Sequence, residues 1–297
     1  MNVALIIFGR YATRLAKFLL SQGYLVYLAI QNSQEIEQFH SRVLIRPYND
    51  NAQFDYILQE IKRLDRQNFE IYNLADDTIV RLVHSIGLLD MNPKLFHLST
   101  PEMFGKIQEV PQNEYTRFVP NTFYGVSKVF EHQYVQNCRL HYNMFASTGI
   151  VYNHGFGEGM NIVKQIRKVL GGEQDILTVN NLTTSYDWCH PDDCVRAMWM
   201  ILQAREPDDW IVSSGELHNV EEIIEKTFEK AGVRLLWNDK VGYDANTGTE
   251  LVQVLNDEPY DGYEQIQGNN SKIMLELAWE PIHSFDDVIE VLFSSVK

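Results

Sequence analysis

Near the N-terminus, short and nearly unbroken apolar runs alternate with amphipathic helical patterns, and this alternation limits the possible folds more than any other feature. "NVALIIFG" (2–9) is an apolar run ending in glycine, and behind it Tyr11, Leu15, Phe18 and Leu19 recur at helical spacing until Gly23. The pattern reads as strand, turn and helix. "YLVYLAI" (24–30), "RVLI" (42–45), "FEIYNLA" (69–75) and "KLFHLS" (94–99) repeat the strand signal. A helix is expected over 51–64, with Phe54, Ile57, Leu58 and Ile61 on one side. Asp76 or Asp77 is expected to cap a further helix carrying Ile79, Leu82, Val83 and Ile86. Strands without polar alternation are buried on both faces, as in a parallel sheet covered by helices. The fold class is therefore α/β, a doubly wound, Rossmann-like parallel sheet that takes its ligands beyond the carboxyl ends of the strands.

After about residue 150 the pattern loosens. It contains the Gly-rich "NHGFGEGMN" (153–161), a helix near 160–170, a helix from His190 to Gln203, and a strand "WIVSS" (210–214). A helix over 219–231 and terminal helices near 270–278 and 284–294 follow. The stretch 238–268 is acidic and rich in Gly, Asn and Asp, and reads as surface loop or hairpin. The expected division is a dinucleotide-binding domain over 1–150 and a smaller C-terminal substrate lobe over 151–297, some segments of which return to the first domain.

Composition narrows the partners. A formal charge of −15 repels phosphate polymers and anionic lipid, which argues against nucleic-acid and membrane partners. The chain has no uncharged apolar run of roughly eighteen residues and no basic leader followed by an apolar core, so a cytoplasmic location is expected. Three cysteines, Cys138, Cys189 and Cys194, without framework spacing fit a reducing compartment. "CHPDDC" (189–194) offers metal-ligand types, but Pro191 and Asp192 read as first-turn helix chemistry, and no metal is expected. His132 and His141 are expected at the surface, and the carboxylates within 206–209 and 221–225 at solvated turns and caps. Met198, Trp199 and Met200 are expected in the core.

Tyr124 and Lys128 stand four apart in "FYGVSK", on one face of a helix, where the ammonium favours the ionised phenol. Thr100 and Glu102 follow the strand 94–99, at the edge where such a sheet meets its ligand. A hydroxyl, a carboxylate, a phenol and an ammonium thus converge on one crevice.

The phrases "STPEMFGKIQEVPQNE" and "YGVSK", "GIVYNH", "YDWCHPDDCVRAMWMILQAREPDDWIVSSGELHNVEE" and "NNSKIMLELAWEP" resemble the GDP-mannose 4,6-dehydratase family of extended short-chain dehydrogenases/reductases. The resemblance is strong over about 95–230, recognisable near 1–30, 69–75 and 268–281, and weak elsewhere. It implies a lyase that converts a GDP-hexose to a 4-keto-6-deoxy sugar with an internally recycled NADP, or alternatively NAD. By that resemblance Tyr124 takes the C4 hydroxyl proton, Lys128 holds the phenol ionised and bonds the cofactor ribose, and Thr100 binds the C4 oxygen. Glu102 removes the C5 proton and protonates the departing C6 hydroxyl. The implied cofactor contacts are Gly9, Arg10, Ala12, Leu74, Ala75, Tyr124, Lys128 and His154; the implied substrate contacts are Asn153, Asn161 and Lys164. The partners implied are a nucleotide-sugar and, as an open option, further copies of the chain in a homo-oligomer.

The departures from the family pattern concern charge and glycine. The first turn, "IIFGRYATRLA", is two residues shorter than the family's, has Gly9 and Ala12 at its last two glycine positions, and lacks the first glycine. The arginines expected after the second strand are replaced by "AIQNSQE", and the acidic residue that the family carries before the third-strand helix is likewise replaced, in "RPYND". "NHGFGEGM" lacks the family's arginine pair, Tyr186 replaces another arginine, and Asp261 falls near a third. Lys164, Arg167 and Lys168 offer replacement charge or simply a solvated helix face. The loop between Ala75 and Lys94 is short, which bears on cofactor coverage and on the dimer face. Three readings follow: an active nucleotide-sugar dehydratase, a catalytically impaired relative that acts as a binding or partner protein, and a same-fold epimerase or reductase. The first is preferred, because a chain without chemistry has no physical need to keep Thr100, Glu102, Tyr124 and Lys128 together.

Overall fold

The apolar runs become strands β1 (Val3–Ile7), β2 (Leu25–Ile30), β3 (Val43–Pro47), β4 (Phe69–Asn73), β5 (Lys94–Ser99) and β6 (Ala146–Val151). The computed structural model describes residues 2–9, 11–30, 42–48, 51–64, 69–152, 158–255 and 265–295. After the short strands β7 (Leu177–Val179) and β8 (Ser185–Asp187), β9 (Asp209–Val212) returns to the sheet begun by the N-terminal half. Among the described residues this sheet has seven strands in the order β3-β2-β1-β4-β5-β6-β9, and every pairing is parallel. The direction of winding reverses between β1 and β4, and ligands bind at such a switch point.

Side chains alternate across each strand, so one run supplies two cores. Ala4 and Ile6 of β1 face helices α1 (Ala12–Ser21) and α6 (Pro191–Leu202), packing with Leu15, Leu19, Met198 and Ile201. Val3, Leu5 and Ile7 face α2 (Asn51–Lys62), α3 (Ile79–Leu88) and α4 (Phe123–Tyr142), packing with Phe54, Ile57, Leu82, Ile86 and Val135. Fully burying each such Leu or Ile contributes roughly 1.5–3 kcal/mol before the entropy of ordering is counted. Met198 is buried, and Trp199 and Met200 pack against the first of these cores.

The C-terminal lobe has its own core, in which α5 (Glu158–Leu170), α7 (Val220–Lys230) and α9 (Phe285–Ser295) join Ile166, Ile223, Phe228 and Leu292. The stretch expected to be loop or hairpin takes the second form: β11 (Leu235–Asn238), β12 (Val241–Asp244) and β13 (Glu250–Val254) pair antiparallel, and β13 runs parallel to β7. Strands β10 (Leu217–Asn219) and β14 (Gln265–Ile266) flank β8. The short helix α8 (Ser271–Leu277) follows, and Trp279 beyond it donates to Asp193 O on α6 at 3.1 Å.

Two surface expectations are corrected. His132 is buried, with Nδ1 3.0 Å from Ser99 Oγ and Nε2 3.7 Å from Asp209 Oδ2. Asp209 is likewise buried and takes Arg139 Nη2 at 2.6 Å and the Thr148 hydroxyl at 2.8 Å. Both residues lie where α4 crosses the sheet, and polar groups survive there only because each is paired. The "CHPDDC" stretch does start a helix: His190 caps α6, its Nδ1 accepting the Asp192 N–H at 3.2 Å. Among the described residues no helix is long and apolar enough to cross a membrane.

Candidate active site

β5 ends at Ser99 and the chain turns at once. Thr100 is extended, and its Oγ1 accepts the Glu102 N–H at 3.4 Å as the cap of a single 3-10 turn, Pro101–Met103. Glu102 therefore projects outward from the carboxyl edge of the sheet, where it is exposed. Twenty residues later Thr122 caps α4, its Oγ1 accepting the Gly125 N–H at 2.9 Å. At Gly125 a Cβ would lie 2.7 Å from Glu102 O, so the first turn of α4 rests directly on the turn that carries Glu102. Glycine is required here by contact, not by backbone angle.

These packings set the turn of Thr100 and Glu102 against the start of α4, forming a rim that carries Tyr124, with Lys128 buried beneath it. Tyr124 is 41% exposed, and Lys128 Nζ lies 5.8 Å from its ring centroid. Below the rim, Glu102, Gln112, Asn121 and Thr122 line a cleft of about 50 Å³. Gln112 is buried and oriented by the Tyr152 hydroxyl, which donates to its Oε1 at 2.6 Å. The sequence reading missed this residue, and no spacing rule points to it.

Lys128 is only 3% exposed and holds two carboxylates: Glu131 Oε2 at 2.9 Å and Asp76 Oδ1 at 2.5 Å. Asp76 is thus not the helix cap expected from the sequence. Thr78 takes that position without a side-chain capping bond, while Asp76 is drawn to the ammonium. Glu131 Oε2 also lies 3.3 Å from His97 Nε2, and its Oε1 accepts the Asp77 N–H at 2.7 Å. The Asn73 amide lies 3.1 Å from His97 Nδ1, and Asn73 Oδ1 accepts the Thr78 hydroxyl at 2.7 Å. A polar chain therefore runs from the β4 loop through β5 to α4.

The charges respond to this burial. Desolvation alone would raise Glu131, but the bond to His97, the Lys128 charge and the Asp77 N–H hold it at about 2. Desolvation alone would lower Lys128, but the bonds to Asp76 and Glu131 raise it. Burial lowers His97 from its usual value. Glu131 is a site residue that the sequence reading missed. Its signal was the i,i+3 spacing to Lys128, visible only once Lys128 is known to face inward.

At the ends of β1 and β4 Gly9 meets Leu74, with Ala12 buried at the start of α1 and Ala75 just past β4. A Cβ on Gly9 would lie 2.0 Å from Leu74 O, so the shortened turn needs glycine to pass the β4 end. Tyr11 gives the first turn of α1 no side-chain cap, an arrangement suited to a phosphate at a helix start. Arg10, Asn153, His154 and Asp261 lie outside the described residues, as do 31–35 and 49–50 of the departing segments. In the C-terminal lobe Asn161 lines a cavity of about 210 Å³ with Gln165, Thr178, Asn181, Thr184 and Tyr186, and no charged side chain is among its described lining residues. Lys164 is exposed on α5 outside that lining. Arg167 reaches Phe293 O at 3.3 Å and stacks over the Phe293 ring, so it does not supply the replacement charge considered for it.

The family model described as GDP-mannose 4,6 dehydratase matches residues 70–292. The chain belongs to the GDP-mannose 4,6-dehydratase family. It is 32% identical to the human GDP-mannose 4,6 dehydratase, the alignment covering 100% of this chain and 92% of the relative. It is 29% identical to the enzyme of Vibrio cholerae, with 92% and 87% covered. Among solved structures, dTDP-glucose 4,6-dehydratase from Bacillus anthracis in complex with NAD has a TM-score of 0.79 at 16% identity, covering 99% of this chain and 96% of that one. RMD from Pseudomonas aeruginosa complexed with NADPH has 0.75 at 14%, covering 98% and 97%. At such identities the structures show the shared fold. In this GDP-mannose 4,6-dehydratase family member the turn carrying Glu102 and the first turn of α4 pack together, with Lys128 buried one turn further along the helix.

Proposed function

We propose that the chain is a GDP-sugar 4,6-dehydratase, a lyase that turns a GDP-hexose such as GDP-mannose into its 4-keto-6-deoxy product. The observation that best supports this reading is the close packing of Gly125 on Glu102 O, which joins the turn of Glu102 to the start of α4, where Lys128 Nζ lies 5.8 Å from the Tyr124 ring centroid. A nicotinamide dinucleotide, when bound, would supply a hydride acceptor for C4 and the hydride for C6. We assign NADP from the family resemblance, with NAD as the alternative, held by Gly9, Ala12, Leu74 and Ala75 beside the uncapped start of α1.

The chain's own groups handle the protons. Thr100 Oγ1 orients the C4 oxygen, and Tyr124 takes its proton while Lys128 stabilises the phenolate. Glu102 removes the C5 proton and delivers it to the departing C6 oxygen, so one carboxyl serves as base and then acid, and Tyr124 returns the proton taken from the C4 hydroxyl to C5 when C6 is reduced. A hexose bound beside Glu102 would exclude water from the carboxylate, so that proton transfer in both directions runs directly between it and the sugar. Asn161 and its neutral neighbours supply the nucleotide end, and Lys164 stands near its rim. The division at about residue 150 and a cytoplasmic location belong to the same reading. Self-association is supported by the outer face of α4, where Phe123 is 98% exposed and Val126, Phe130 and Leu140 are also exposed.

The second reading, a binding relative without turnover, is favoured by one observation: Lys128 already holds two carboxylates. One experiment separates the two. Purified protein incubated with NADP+ and GDP-mannose should yield a product lighter by one water; a bound dinucleotide with no such product would favour the second.

A further inference from the structure

The polar chain around Lys128 contains one member that differs from the rest. Glu131 is 3% exposed and fixed on three sides, by Lys128, His97 and the Asp77 N–H. Removing it would strand a buried ammonium. Asp76 holds the same ammonium at 2.5 Å, yet its side chain is 59% exposed and sits on the loop leaving β4. Asp77 beside it has a left-handed φ of 58°, and its N–H to Glu131 pins the loop so that Asp76 points at Lys128.

An ammonium has three donors. Two are taken by Glu131 and Asp76, while the dehydratase reading asks for a cofactor ribose, whose two vicinal hydroxyls are both acceptors. Four acceptors therefore compete for three N–H groups, and the solvated carboxylate on a loop is the one that can leave at low cost. We propose that Asp76 is a removable cap on Lys128, which a dinucleotide must displace, so that this residue sets how tightly the chain holds its cofactor. The proposal rests on the dehydratase reading, because that reading brings a ribose to Lys128. A carboxylate bound to the ammonium lowers the fraction of chains ready for the ribose, and apparent affinity falls by that fraction.

The test is a titration of the full-length protein with NADP+, read by tryptophan fluorescence, for the wild type, Asp76→Asn and Asp77→Asn. Asp77→Asn removes the same charge one residue away and keeps the backbone N–H. Asp76→Asn should tighten binding roughly three- to tenfold, and Asp77→Asn less than about twofold. In parallel, reductive methylation of Lys128, followed by peptide mass spectrometry, should proceed faster in Asp76→Asn. Wild-type binding that Asp76→Asn leaves unchanged, or that both variants tighten equally, would overturn the cap and spare the dehydratase reading. If no protein binds either NADP+ or NAD+, the dehydratase reading falls. Faster methylation of Lys128 would then still support the cap as a lock on the ammonium, and equal rates would overturn it as well.

Discussion

The rim that carries Tyr124 and the turn that would seat a dinucleotide share one crevice but are held by different means. The rim is set by local rules: Thr100 and Thr122 each cap the turn they begin, and Gly125 lets one turn sit on the other. The cofactor side depends on contacts between distant segments: Gly9 against Leu74 O, and Asp76 from the loop after β4 closing on a Lys128 that Glu131 already holds from the same helix. Locally determined geometry can persist while its surroundings change. The comparison teaches that the proposed chemistry and the proposed cofactor affinity can be perturbed separately.

Tyr124→Phe should break the rim alone and have the largest effect. Product formation should fall by ~10²–10⁴-fold, the usual worth of a positioned acid or base, with the melting temperature nearly unchanged. Gly125→Ala tests whether the contact between turns matters. A Cβ facing a backbone oxygen at 2.7 Å forces α4 off Glu102, which should cost on the order of 10²-fold in rate and about 1–3 kcal/mol in denaturant unfolding.

Glu131→Gln probes the other side. Leaving Lys128 without its buried partner should cost about 3 kcal/mol, read as a lower denaturant midpoint. The pH dependence sharpens the point. Glu131 is held at about 2 in the folded chain against an ordinary 4.5, so its contribution is fully present above that ordinary value and is lost as pH falls toward 2. Wild-type stability should therefore drop across this window more steeply than that of Glu131→Gln. Asp76→Asn should have the smallest effect on stability, under about 1 kcal/mol in the same unfolding assay, because its side chain is more than half exposed.

Legibility followed the same division. The parallel sheet, the order of helices and the rim residues could be read from apolar runs, i,i+4 spacing and caps, all of which are local. β5 falls on the expected residues, and α6 lies within the expected limits of His190 and Gln203. Pairings between distant segments could not be read this way. Asp76 resembles a helix cap until Lys128 is known to face it, and His132 resembles a surface residue until Ser99 and Asp209 are placed beside it. Gln112 becomes a site residue only because Tyr152, forty positions later, orients it.

Glu102→Gln, incubated with NADP+ and GDP-mannose and followed by the near-ultraviolet absorbance of reduced nicotinamide, tests the assigned roles most directly. Reduced cofactor should accumulate without loss of water, because Tyr124 can still take the C4 hydroxyl proton and so support oxidation of C4 by the added NADP+ while the elimination is blocked. No accumulation, although the variant still binds both ligands, would contradict the assignment of separate tasks to the phenol and the carboxylate.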